Sequence, residues 1–135
     1  MEATTMPRKK IVAVVGPGDG ASAADIALGR ELGKLIAERG WILLSGGRAV
    51  GVMDAVNKGA KAAGGLTVGV IPSTRDAISE AVDIAMVTDM GGARNNIIVL
   101  SSDVVISCGV GGAGTASEVA LALKAKKHVV LLGEG

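Results

Sequence analysis

The sequence predicts a single α/β domain, built on an open parallel sheet of about six strands with helices on both faces. Six short runs consist mostly of consecutive Val, Ile and Leu, which is typical of strands covered on both faces. Helical patterns lie between most of these runs, and strands that alternate with helices indicate a parallel sheet. A length of 135 residues fits one such domain.

The first predicted strand directly follows a short charged segment, so residues 1–10 are expected to form a flexible arm and residues 11–135 the domain. The predicted strands are Ile11–Val15, Trp41–Ser45, Leu66–Ile71, Asp83–Thr88, Val104–Cys108 and His128–Leu132.

Four helices are predicted between the strands. The first follows the stripe of Leu28, Leu32, Leu35 and Ile36 and ends at Gly40. The second follows Val52, Val56, Ala60 and Ala63. The third runs from about Ala93 to Ser101, and the fourth from Thr115 to Lys126.

Two segments depart from this regular alternation. The link from Pro72 to Val82 is expected to hold only a short helix. No helix is predicted after the last strand, although such a strand normally needs one to cover its face. Either that helix has been trimmed or lies beyond this sequence, or a second subunit is expected to cover the strand.

Composition excludes several classes of protein. The chain is 49% hydrophobic and 20% charged with a net charge of +1, unlike a disordered chain or one that binds nucleic acid or a membrane surface through excess positive charge. Trp41 is the only aromatic residue, so no platform for stacking bases is predicted. The longest stretch without charge, Val104–Ser117, is too short to cross a membrane.

Cys108 is the only cysteine, which excludes an internal disulfide and favours a reducing compartment; we therefore expect a cytoplasmic protein. A buried structural thiol is the favoured interpretation of Cys108, with ligand contact as the alternative. No side-chain metal site is predicted, because the single histidine, His128, has no second histidine or cysteine pattern around it.

Glycine-rich segments follow three of the predicted strands, and the carboxyl ends of parallel strands meet at one edge of the sheet. Helix N-termini at that edge favour anions, so a phosphorylated small molecule is the predicted ligand. The candidate ligand-binding residues in these segments are Gly16, Gly18, Ser45, Gly46, Gly47, Arg48, Gly109, Gly111, Gly112, Gly114 and Thr115.

The third segment also satisfies G-x-G-x-x-G through Gly109, Gly111 and Gly114, with Glu134 placed 20 residues later, where a ribose-binding acid would lie. Dinucleotide binding of the NAD type is therefore a minor alternative, because the motif follows the fifth strand rather than the first.

Three polar residues lie at predicted helix starts. Thr115 and Glu118 form T-x-x-E, which indicates either a capping box or a hydroxyl and a carboxylate aimed at a ligand. Arg94 opens the third helix, where the helix dipole disfavours a cation, so an anionic partner is predicted for it.

Together these stretches resemble the Lonely Guy family, whose members were long labelled lysine decarboxylases. The resemblance rests on SGGRAVGVMDAV at 45–56, AAGG at 62–65, GVIP at 69–72 and the G-G-x-G-T-x-x-E core at 111–118. It implies a Rossmann-like fold.

Two functions are compatible with this resemblance. Lonely Guy enzymes are nucleoside 5′-monophosphate phosphoribohydrolases that activate cytokinins, and Arg94 and Glu118 match their catalytic pair. A related branch, the molybdenum cofactor carrier proteins, binds a pterin phosphate without transforming it. Val110 replaces the enzymes' motif proline and Asn95 their lysine, so the resemblance favours binding and carriage of the molybdenum cofactor over catalysis.

The resemblance also implies a homo-oligomer, a dimer or tetramer, and molybdoenzymes as acceptors of the cofactor. Neither nucleic acid nor a membrane is expected as a partner.

Overall fold

Six strands form one open, fully parallel sheet in the computed structural model, which describes residues 7–133. The strands are β1 (Ile11–Val15), β2 (Ile42–Ser45), β3 (Thr67–Ile71), β4 (Ile84–Val87), β5 (Val104–Cys108) and β6 (His128–Leu132). Their order across the sheet is β4-β3-β2-β1-β5-β6. The predicted parallel sheet is therefore confirmed.

Four α-helices connect these strands and complete a single Rossmann-like domain. They are α1 (Ala23–Glu38), α2 (Gly51–Ala62), α3 (Arg94–Ser101) and α4 (Ala113–Lys124). A single turn of 3-10 helix, Gly91–Ala93, leads directly into α3. Among residues 7–133, none of the helices is both long enough and apolar enough to cross a membrane.

The core has two halves, one on each face of the sheet. Successive residues of β1 point to opposite faces: Val12 packs with Ile36 of α1 and Val56 of α2. On the other face, the neighbouring residue Ala13 belongs to the cluster that contains Ile98 of α3. Helices on both faces, as predicted, explain why the central strands are continuous apolar runs.

The buried side of α1 agrees with most of the predicted stripe. Ile36 is buried, and Leu28 and Leu32 pack against the same core cluster, but Leu35 is 46% exposed. Gly33 is also buried, because the backbones of α1 and α2 approach each other closely: a Cβ atom there would clash with a carbonyl of α2. The stripe of large residues therefore did not reveal how closely α2 packs.

The edge strand β4 also departs from its prediction, since all four of its residues are exposed rather than covered on both faces. An apolar run indicates a strand but not its place in the sheet.

The segment from Pro72 to Val82 contains no helix, in contrast to the predicted short one. It bonds instead to the glycine loop after β2, through Ala49 N–H to Ala77 O at 2.9 Å and Ser79 N–H to Gly47 O at 2.8 Å.

β1 begins at Ile11, the residue at which the domain was predicted to begin. The flexibility of residues 1–10 stays a prediction, and residues 1–6 lie outside the described part of the chain, as does Glu134.

Candidate functional site

A cavity of about 460 Å³ opens at the carboxyl edge of the sheet, where the loops after β1, β2 and β5 meet. β1 lies between β2 and β5, so the order of strands reverses at this point. Open α/β sheets bind ligands at such reversals. The volume is within the range of roughly 300–1,000 Å³ that is common for small-molecule sites.

Most of the sequence-predicted site residues line this cavity. They are Gly16, Gly18, Gly46, Arg48, Arg94, Gly111, Gly112, Gly114, Thr115 and Glu118. The structure thus brings together residues from three loops and two helix starts that are up to 102 positions apart in the chain.

Three predicted residues, Ser45, Gly47 and Gly109, do not line the cavity. The Ser45 hydroxyl is fully buried behind the second glycine loop. It accepts hydrogen bonds from Gly47 N–H at 3.1 Å and from Asn57 Nδ2 at 2.8 Å. Ser45 therefore holds the loop in shape rather than facing the cavity.

Arg94 is a buried cation, only 9% exposed, that faces the cavity from the start of α3. Its Nε donates to the carbonyl of Val70 at 3.0 Å, and its Nη1 donates to the side chain of Asn95. A Cβ atom on Gly46 would lie 2.6 Å from Sδ of Met53 and 2.7 Å from Nη2 of Arg94, so a larger residue there would displace one or both of these side chains. Burial lowers the pKa of Arg94, and the nearby Glu118 carboxylate partly offsets that effect.

A second cation, Arg48, lies on the same side of the cavity and is more exposed. Its Nε forms an ion pair of 2.9 Å with Asp76, which belongs to the segment folded over the second glycine loop. The pair orients Arg48 but, at this exposure, adds little to stability.

Thr115 is not the N-cap residue that the T-x-x-E pattern suggested. Helix α4 begins two residues earlier, at Ala113, with Gly112 in the capping position at φ +88° and no side-chain cap. The capping-box interpretation is wrong, because it requires Thr115 to lie before the helix rather than inside its first turn. Thr115 is instead 4% exposed and faces the cavity.

Glu118 lies one turn further along α4, 8% exposed and lining the cavity. Burial raises the pKa of its carboxyl to about 7, and the positive charge of Arg94 opposes this rise. Within residues 7–133 the two side chains are not in contact as an ion pair, since no N–O distance between them is 4.0 Å or less. The Glu118 carboxylate and Nη2 of Arg94 therefore have no hydrogen-bond partner among these residues, and both residues line the cavity.

Sequence reasoning missed several residues of the cavity wall. These are Pro17, Asp19, Gly20, Ser22, Asp25 and Met53, together with Val14 and Val15 of β1. Ser22 and Asp25 form S-x-x-D, a helix-start pattern that could have drawn attention to α1. The Ser22 hydroxyl does accept the N–H of Asp25, at 3.0 Å.

Cys108 is fully buried and belongs to the core between the sheet and α1 and α2. Burial, assisted by the charge of Asp25, raises the pKa of its thiol to about 11. It is absent from the cavity wall, in agreement with a structural thiol.

Fold and site together define a Rossmann-like α/β protein with a polar cavity at the point where the strand order reverses. The sequence matches the model of the SLOG cluster4 family over residues 9–135, and the chain belongs to this Lonely Guy-like family.

Solved structures similar to the chain include two proteins that are described by the same ligand, the molybdenum cofactor. The molybdenum cofactor binding protein of Rippkaea orientalis is 58% identical, with a TM-score of 0.91 over 95% of this chain and 78% of that protein. The molybdenum cofactor carrier protein of Chlamydomonas reinhardtii is 56% identical, with a TM-score of 0.88 over 93% of this chain and 78% of the other.

A curated relative is an enzyme. The cytokinin riboside 5′-monophosphate phosphoribohydrolase of Mycobacterium tuberculosis is 40% identical over 111 residues, which are 80% of this chain but 59% of that protein. Proteins of both kinds that the sequence suggested, molybdenum cofactor proteins and a phosphoribohydrolase, therefore occur among the relatives. The molybdenum cofactor proteins have the higher sequence identity to this chain.

The position of Glu118 predicts a pH dependence of stability. Because burial raises its pKa from 4.5 to about 7, the folded state retains a proton that the unfolded state releases between these values. The free energy of unfolding should fall, by on the order of 3 kcal/mol, as pH rises through that window. Glu118→Gln should remove this part of the dependence and stabilise the protein at pH 8 relative to the parent.

Urea denaturation of both proteins at pH 5 and pH 8 measures the effect. Glu31→Gln, which changes an exposed glutamate of α1, is the matched control and should follow the parent. An equal stability difference between parent and Glu118→Gln at the two pH values would contradict the assignment.

Proposed function

We propose that the protein binds and carries the molybdenum cofactor, a pterin phosphate, in this cavity. One observation carries the proposal: Asp25, Thr115 and Glu118 are each more than nine-tenths buried and all face the cavity. Within the described chain, no hydrogen-bond donor or acceptor pairs with their side chains. Asn57 Oδ1 is the only fully buried polar side-chain atom without a partner among residues 7–133, so the side-chain oxygens of these three residues stay accessible and can bond to a polar ligand.

The chemistry of the cavity fits such a ligand. The third glycine loop provides open space, since a Cβ atom on Gly112 or Gly114 would have no neighbour within 4 Å. The N-terminus of α4 directs free backbone N–H groups into that space, an arrangement that favours phosphate. Arg94 adds a fixed positive charge, and the Thr115 hydroxyl adds a donor.

Similarity to the two molybdenum cofactor proteins supports the same ligand, because it extends over almost the whole chain. In this proposal the cofactor is cargo, so the task of the residues is to hold it, orient it and limit its contact with water. We further propose that the protein is cytoplasmic and that molybdoenzymes accept the cofactor from it.

The phosphoribohydrolase reaction is the second candidate, favoured by the placement of Arg94 and Glu118 on one cavity wall. A carboxylate at that place could stabilise an oxocarbenium-like transition state. Two features oppose efficient catalysis. Near neutral pH, Glu118 is protonated for much of the time. Asn95 bonds to Arg94 and brings no charge of its own. Val110, in contrast, is exposed and outside the cavity wall, so it gives no argument for or against catalysis.

Dinucleotide binding has less support. Gly109, the first glycine of the G-x-G-x-x-G pattern, does not line the cavity.

Gly114→Leu should abolish cofactor binding and leave the fold intact. Gly114 is inside α4 with open space around it, so a leucine is tolerated by the helix but its side chain would fill the cavity. Gly112 is a poorer choice for the test, because at φ +88° any other residue is strained. Native mass spectrometry of freshly purified protein should show a bound pterin phosphate in the parent only.

Ala116→Leu is the matched control, since Ala116 is exposed on the same helix and does not line the cavity. It should retain the ligand. A parent that carries no ligand and is not stabilised against heating by pterin phosphates would contradict the proposed function, as would full occupancy of Gly114→Leu.

The protein should release little or no ribose 5-phosphate from AMP or related monophosphates. The physical reason is the partly protonated Glu118 and the uncharged Asn95 beside Arg94, which weaken the stabilisation of developing charge. Multiple turnovers at about 1 per second or faster, lost in Glu118→Ala, would overturn the carrier interpretation in favour of the enzyme.

We also propose a homo-oligomer. Apolar side chains are exposed along the edge strand and the loop after it: Ile84, Met86, Val87 and Met90 are 45–56% exposed. Edge strands and exposed apolar patches of this kind are typical of interfaces. Sedimentation equilibrium at micromolar concentration should give a mass above 13.3 kDa, and a single species of that mass would contradict the proposal.

A further inference from the structure

The carboxylate of Asp25 lies in the wall of the cavity, on the far side from the two arginines. Asp25 is the third residue of α1 and is 6% exposed. A residue at this position of a capping box usually bonds back to the N–H of the N-cap residue. Within residues 7–133, however, the Asp25 carboxylate accepts no hydrogen bond and forms no ion pair.

The surrounding loops are shaped to receive this carboxylate. Gly109, after β5, and Gly133, after β6, both have positive φ angles, +81° and +83°. A Cβ atom on Gly109 would lie 2.5 Å from Oδ2 of Asp25, and one on Gly133 would lie 2.8 Å from Oδ1. Any side chain at either glycine would displace the acid, so two loops leave space for one carboxylate.

The two arginines of the cavity and Asp25 lie on different sides of it, and acids accompany the arginines: Asp76 pairs with Arg48, and Glu118 lies near Arg94. Arg48 and Arg94 lie on its β2–β3 side, where Arg48 follows β2 and Arg94 bonds to a carbonyl of β3. Asp25 lies on its β5–β6 side, against the loops after those strands. A ligand that spans the cavity would meet positive charge at one end and a hydrogen-bond acceptor at the other.

We propose that Asp25 determines specificity by accepting hydrogen bonds from the ring N–H and the adjacent amino group of a 2-amino-4-oxopyrimidine ring, the edge that pterins share with guanine. An ionised carboxylate only accepts, and its two oxygens match two neighbouring donors. A ring without the amino group leaves one buried oxygen unpaired, which is the basis of strong discrimination. This inference rests on the proposed function, because it assigns the ring end of the ligand bound there.

The parent protein tests the inference without any substitution. GMP and IMP differ only in the 2-amino group, as do guanosine and inosine. Calorimetric titration should show GMP binding about tenfold more tightly than IMP or better. Equal affinity for GMP and IMP, with both bound, would overturn the role of Asp25 and leave the phosphate site standing.

Substitution of Asp25 locates the discrimination. Asp25→Asn keeps the size of the side chain but exchanges one acceptor for a donor, so the preference for GMP should disappear while the affinity for IMP changes less than about twofold. Glu31→Gln removes an exposed acid from the same helix, outside the cavity wall, and should keep the preference. A preference that persists in Asp25→Asn contradicts the inference.

The nucleosides separate this inference from the proposed function. A preference for guanosine over inosine, with no gain in affinity from the phosphate, would support Asp25 and contradict the phosphate site. Failure of the parent to bind any of the four compounds would overturn both.

Discussion

The central position of β1 is the constraint on which the site depends. β2 and β5 flank it, so the chain must cross to the second half of the sheet at this strand. Loops that are distant in sequence consequently end at one place, and their glycines leave a space between them rather than filling it. No single loop of this protein would form the cavity alone, because each contributes only one part of its wall.

Burial of charge is the second feature that organises the site. Arg94 is held by Val70 and Asn95, groups that orient it without neutralising it. The Glu118 carboxylate is near enough to raise the pKa of Arg94, but the two side chains form no ion pair. The free protein thus keeps two charged groups in the cavity wall that are not neutralised by an ion pair with each other, as is typical of sites shaped for a ligand.

Two functions occur among the relatives of this chain, which include a molybdenum cofactor carrier protein and a phosphoribohydrolase. A shared fold does not separate such functions, so the side chains of the cavity must. In this chain the neighbour of Arg94 is a neutral amide, and the carboxyl of Glu118 is buried enough to hold a proton near neutral pH. Both properties fit the binding of an anion better than the stabilisation of a cationic transition state.

Much of the fold and most of the site could be predicted from the sequence alone. Continuous apolar runs marked the central strands, and glycines after those strands marked the loops at the ligand edge, because both patterns reflect local backbone geometry. Three aspects were decided only by the tertiary structure. The exposure of β4 follows from its place at the sheet edge, and α1 buries small residues because α2 packs close to its backbone. Asp25 faces the cavity because loops more than 80 residues away leave room for it, a contact that no local pattern records.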